Sequence, residues 1–99
     1  MIVVANRIYV SAGFEAAFEE RFKSRPRLVE QASGFVRNEV LKPRSEGAPY
    51  IVVTHWADET CFRSWTESPA FRAAHGGPRP PEGMFSQPNV LEVHEVLGA

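Results

Sequence analysis

The chain has a single cysteine, Cys61, among 99 residues. One thiol closes no internal disulfide and builds no cysteine-rich zinc site. No apolar run approaches the roughly 20 residues that span a bilayer, so no membrane role is expected. The opening Met1-Ile2-Val3-Val4-Ala5-Asn6-Arg7 lacks the basic start and long apolar stretch of a secretion signal, and the expected location is the cytoplasm. Lysine and arginine form no stripe and the formal net charge is −1, so nucleic acid is not an expected partner. Also missing are a serine or cysteine nucleophile motif, a phosphate-binding glycine pattern and a Cys-x-x-Cys-His haem attachment.

What is present reads as one domain over residues 1–99, with a radius of gyration of roughly 13 Å. A pocket for a large ligand leaves so short a chain little core, and a partner subunit is one way to cover more apolar surface.

Ile2 to Val10 reads as a strand rich in β-branched residues. One face carries Ile2, Val4, Asn6, Ile8 and Val10; the other carries Val3, Ala5, Arg7 and Tyr9. Two largely apolar faces predict a strand covered on both sides. Phe14 to about Gln31 reads as a helix, with Phe14, Phe18, Phe22 and Val29 near one stripe and a kink at Ser24 or Arg25 forced by Pro26. Phe35 to Leu41 and Tyr50 to Trp56 form an antiparallel hairpin across a turn with two prolines and a glycine. Asp58 caps a helix from Glu59 to Glu67. Ser68-Pro69 starts a second piece that runs to His75 and stops at Gly76-Gly77. Pro78 to Pro88 is a proline-rich loop of a length often used as a lid. Asn89 to Leu97 is the last strand. The order β-α-β-β-α-β is the ferredoxin-like plan, an α+β fold on an antiparallel sheet.

Few side chains carry candidate chemistry, and each has two readings. His75 ends a helix four residues after Phe71, beside two glycines that leave room for a flat ligand. It reads as a metal-binding imidazole or as a solvated partner of the helix dipole. Asn6 is an amide on an apolar strand face, either a donor aimed at a ligand or a buried amide with a protein partner. Trp65, near Cys61 and Phe62, is a wall for a planar ligand or plain core. Arg21 and Arg25, one turn apart around Phe22, clamp carboxylates or pair with neighbouring glutamates. Trp56 reads as core or dimer contact. His55 and His94 lie in strands without metal-ligand spacing and read as structural.

Val4-Ala5-Asn6-Arg7, Glu20-Arg21-Phe22, Gly34-Phe35 and above all Val52 to His75 resemble the antibiotic biosynthesis monooxygenase superfamily of dimeric α+β barrels. Within it the chain is similar to the IsdG-type haem-degrading monooxygenases. In the last segment Thr54-His55-Trp56 precedes the helix, Phe62-Arg63-Ser64-Trp65 sits within it, and Phe71-Arg72-Ala73-Ala74-His75 closes it. The resemblance implies that His75 is the axial ligand of haem iron and Asn6 the distal hydrogen-bond donor. It implies that Trp65 presses the porphyrin out of plane, that Arg21 and Arg25 meet propionates, and that Phe22, Phe62 and Phe71 line the pocket. Haem is then both cofactor and substrate, opened at a meso carbon with dioxygen and an external electron donor to release iron. The same resemblance implies a homodimer. Pro26 and the loop from Pro78 depart from the family pattern without touching Asn6, Trp65 or His75. The rival readings are a cofactor-free monooxygenase of the same fold acting on a phenolic or quinol substrate, a haem carrier or sensor without turnover, and a small dimeric regulatory domain.

Overall fold

A computed structural model describes residues 1–77 and 79–98. Four strands, β1 (Ile2–Ile8), β2 (Phe35–Leu41), β3 (Tyr50–Trp56) and β4 (Val90–Glu95), form one sheet in the order β2-β3-β1-β4. Every neighbouring pair is antiparallel. The helices are α1 (Glu15–Lys23), α2 (Glu59–Thr66) and α3 (Pro69–Ala74), with a single 3-10 turn at Val29–Gln31. This is the ferredoxin-like α+β arrangement read from the sequence. The thin dimension of 20 Å fits one sheet and one layer of helices.

Side-chain alternation and register divide the sheet into two faces. Ile2, Val4, Asn6 and Ile8 of β1 lie beside Trp56, Thr54, Val52 and Tyr50 of β3. On the other side Val4 and Asn6 meet Val93 and Leu91 of β4. The core draws its strand residues from this face, so the helices cover it. The opposite face presents Val3, Ala5, Arg7, Ile51, Val53 and His55, and among the described residues no helix packs on it. The coverage expected on both sides of β1 is thus supplied on one side by the chain itself.

The core is split. Ile8, Phe18, Tyr50 and Met84 form one buried cluster, with Phe14 and Phe22 of the α1 segment packed against it. Val4, Trp56 and Trp65 form a second, joined by Phe35, Phe62, Phe71 and Ala74. In the first, the Tyr50 hydroxyl donates to Glu19 at 2.5 Å, and Lys42 pairs with the same carboxylate oxygen at 2.9 Å. Burial, then the Glu19 hydrogen bond and charge, push the Tyr50 phenol up to about 12. The Tyr50 hydrogen bond and Lys42 hold Glu19 below the usual carboxylate range. In the second cluster Trp56 is wholly buried, and its indole N–H donates to Thr54 at 3.0 Å. Trp56 lies edge-on to both Phe35 and Phe62.

The first helix is shorter than its sequence predicts. It ends at Lys23 with Ser24 as cap, and no kinked continuation follows. Proline disfavours the helical region for the residue before it and offers no N–H of its own, so at Arg25-Pro26 the chain leaves the helix rather than bending it. Val29 therefore leaves the stripe of Phe14, Phe18 and Phe22 and packs on the second cluster. Beyond it, Gly34 turns the chain into β2 with φ +79°, and a Cβ there would overlap the Cys61 sulfur. The Cys61 thiol is pushed up by its hydrogen bond to Asp58 and by burial. Asp58 caps α2 by accepting from the Cys61 N–H at 2.8 Å, as expected.

Candidate functional site

Asn6 sits on the helix-covered face of β1, between Val4 of one cluster and Ile8 of the other. It is half-buried. Among the described residues its side-chain amide makes no hydrogen bond. Buried amides usually find a partner, so an open one at the seam of a divided core is chemically available. Its neighbours in register are Val52 and Leu91. Leu91 is 58 % exposed and Val93 44 %, although both belong to the covered face. An apolar strip on β4 thus lies open beside the amide. The sequence reading missed Leu91 and Val93. Their signal is the alternation along β4, and it gains meaning only once register sets Leu91 beside Asn6.

Trp65 reaches the second cluster from α2 and is 8 % exposed. Its carbonyl accepts from the Ser68 hydroxyl at 2.6 Å, and the Ser68 hydroxyl oxygen in turn accepts from the Phe71 N–H at 3.1 Å. Ser68 is the N-cap of α3, and it couples the end of α2 to the start of α3. The Trp65 ring meets Phe71 edge-on at 5.7 Å. Phe71 in turn stacks on His75 at 4.1 Å with a tilt of 34°. The three rings form a continuous path from core to surface.

His75 is the C-terminal cap of α3 and is exposed. Its Nδ1 lies 2.9 Å from the Phe71 carbonyl. A carbonyl only accepts, so Nδ1 carries a proton, and in the neutral ring Nε2 is the atom with a free lone pair. Gly77, two residues on, has no neighbour that a side chain would meet. Among the described residues no three His, Cys, Asp or Glu side chains gather into a metal site.

Two hollows lie elsewhere on the molecule. One, of about 400 Å³, is lined by Leu28, Ala32, Cys61, Ser64 and Trp65, on the side of the 3-10 turn. The other, of about 460 Å³, lies against Tyr9, Lys42, Arg44 and Tyr50. Neither includes Asn6 or His75.

Phe22 packs on the first cluster, and Phe62 and Phe71 on the second. Arg21 is exposed. Arg25 lies 3.5 Å over the Phe22 ring and donates to the Phe22 carbonyl at 2.9 Å. Partial burial, then the charge of Arg27, lower its affinity for the proton. His55 pairs with Glu39 at 3.2 Å, in keeping with a structural role. The proline-rich loop is pinned at its far end, where Met84 is buried, the Ser11 N–H donates to the Met84 carbonyl, and Phe85 bridges to Val10. Pro78 lies outside the described residues.

Comparison with known proteins places the chain. Residues 1–77 match the antibiotic biosynthesis monooxygenase family. A heme oxygenase (mycobilin-producing) of Mycobacterium tuberculosis is 40 % identical over 96 residues, which cover 97 % of this chain and 90 % of that protein. A heme oxygenase (staphylobilin-producing) of Staphylococcus haemolyticus is 39 % identical over 77 residues, 76 % of this chain and 73 % of its own. The solved structure of the heme-degrader MhuD from Mycobacterium tuberculosis, with two hemes bound in its active site, superposes with a TM-score of 0.82 at 34 % identity, covering 100 % of this chain and 98 % of that one. The chain belongs to the antibiotic biosynthesis monooxygenase family, on the branch that holds these haem-degrading relatives.

Proposed function

We propose that this protein is a haem-degrading monooxygenase. It binds haem as substrate and cofactor and opens the macrocycle at a meso carbon, using dioxygen and electrons from a separate donor, and it releases the iron. The observation that carries this reading is the imidazole of His75, with Nδ1 bonded to a carbonyl at 2.9 Å and Nε2 open. Metal-binding histidines are oriented in this way, one ring nitrogen held by a backbone acceptor and the other presented to the metal. The 40 % identity to a heme oxygenase over nearly the whole chain supports it.

The residues present suit such a ligand. The seam between the clusters offers apolar side chains, Leu91 and Val93, beside an amide with hydrogen bonds to give. His75 holds the iron through Nε2. Asn6 would offer its amide N–H to a polar atom of the bound ligand. Trp65, fixed by the core on one side and Phe71 on the other, presents a rigid edge that does not yield to a planar guest. Phe22, Phe62 and Phe71 supply apolar walls. Arg21 and Arg25 supply cations for the carboxylates, and Arg25 does so by leaving the Phe22 ring. When bound, the haem supplies the redox chemistry, and the protein contributes ligation, hydrogen bonding and shape.

The uncovered sheet face, with Val3, Ile51, Val53 and Val90 around the Arg7–Glu92 pair, supports a homodimer through this surface. Among the described residues no helix is long and apolar enough to cross a membrane, and we place the protein in the cytoplasm.

Titration with haem is the decisive experiment. The expected result is a Soret band that saturates on binding and disappears with reductant and oxygen. A band that persists under those conditions replaces the enzyme by a haem carrier. No band at all points to a cofactor-free oxygenase or an inert domain.

A further inference from the structure

We propose that Phe71 is the positioning residue of His75: it fixes one tautomer and one orientation of the imidazole and so decides that Nε2 faces a ligand. This rests on the haem-ligand reading of His75 for its purpose, but not for its test. Phe71 acts through two groups. Its carbonyl accepts from Nδ1 at 2.9 Å, and from the His75 backbone N–H at 3.1 Å. Its ring covers the imidazole at 4.1 Å, tilted by 34°. The carbonyl sets which nitrogen is protonated. The ring closes one face of the imidazole and removes the rotamers in which Nδ1 swings into water.

Without such a support the exposed end of a six-residue helix would leave the ring free to turn. Free histidine in water favours the opposite tautomer, with the proton on Nε2, which has no lone pair there to offer iron. Phe71 is itself anchored. Its N–H donates to Ser68, whose hydroxyl donates to the Trp65 carbonyl, and its ring abuts Trp65. The imidazole is thereby referenced to a buried tryptophan through one backbone turn and two ring contacts.

The test uses the ligand-free protein, labelled with 15N at histidine, at a pH where the ring is neutral. Two-bond and three-bond 1H–15N correlations report the tautomer directly. The wild type is expected to hold His75 mainly as the Nδ1–H form. Phe71→Leu keeps apolar bulk in the core but removes the flat face, and it should shift His75 towards the free-histidine mixture. Phe71→Tyr keeps the face and should restore the wild-type signature. Phe35→Leu, a similar deletion in the same cluster but remote from His75, should leave the tautomer unchanged. In a haem titration Phe71→Leu should bind about tenfold more weakly. A wild-type His75 in the Nε2–H form, or a Phe71→Leu variant with an unchanged tautomer, overturns the proposal. If the tautomer responds as stated while the wild type fails to bind haem, the positioning role is upheld and the haem reading alone falls.

Discussion

The cluster beneath α2 and α3 and the cluster beneath α1 use neighbouring rows of one sheet face, yet they are stabilised differently. The first is built around aromatic rings set among aliphatic side chains: Trp56 meets Phe35 and Phe62 edge to face, Trp65 meets Phe71, and the polar contacts are short hydrogen bonds such as Trp56–Thr54 and Ser68–Trp65. The second closes on an ionic lock, in which Tyr50 and Lys42 converge on Glu19, and on a loop pinned through Met84. Each row fills its own space, and Asn6 lies between them without a partner. The lesson is that a small domain can leave a polar side chain open by failing to merge its core. A single continuous core would have filled the position beside Asn6 with an apolar side chain.

If that contrast is right, function and stability should separate along it. The largest effect is expected from His75→Ala, which touches the aromatic cluster only at its exposed rim. Haem affinity should fall by about a hundredfold or more, while thermal unfolding hardly moves, as titration and a melting curve would register. Trp56→Ala should do the reverse, costing ~3–5 kcal/mol in denaturant unfolding, since the side chain is wholly buried and its cavity is not refilled. Asn6→Ala should leave haem binding near normal and slow degradation about tenfold in single-turnover assays. Full activity in this variant would remove the seam from the mechanism. Ser68→Ala deletes the cap joining Trp65 to Phe71 and should cost ~1 kcal/mol.

The smallest effect lies in the α1 cluster and is a matter of pH. The Tyr50 phenol is raised in the folded state, to about 12. Its contribution to stability is therefore complete below the unfolded value of about 10 and is lost as pH rises through the folded one. Denaturation midpoints measured across that window should decline more steeply for the wild type than for Tyr50→Phe. Haem affinity at neutral pH should be the same in both.

Much of this was legible in the sequence. Strand periods, the Asp58 and Ser68 caps, and the punctuation at Gly34 and Gly76-Gly77 each depend on a few adjacent residues, and local chemistry decided them. Asn6, Trp65 and His75 drew attention through a resemblance to one family, since each by itself reads as readily as core or solvated surface. The end of α1 was misread because Phe14, Phe18 and Phe22 suggested a stripe that Val29 continues, whereas the restriction Pro26 places on Arg25 stops the helix first. The openness of Leu91 was invisible, since it arises from strand register and from the absence of a helix over β4. The Arg25–Phe22 contact was equally hidden, because a cation one turn from an acidic stretch looks like an ion-pair partner until the helix ends and folds it back over the ring.

Cys61 carries a last consequence. Its sulfur rests against Gly34, and Asp58 keeps it in the neutral, weakly nucleophilic form. Peroxide attacks thiolates far faster than thiols, so the only sulfhydryl in the molecule is chemically quiet. The one thiol of the chain thus sits against a glycine whose missing Cβ leaves room for its sulfur, held as the slow-reacting protonated form.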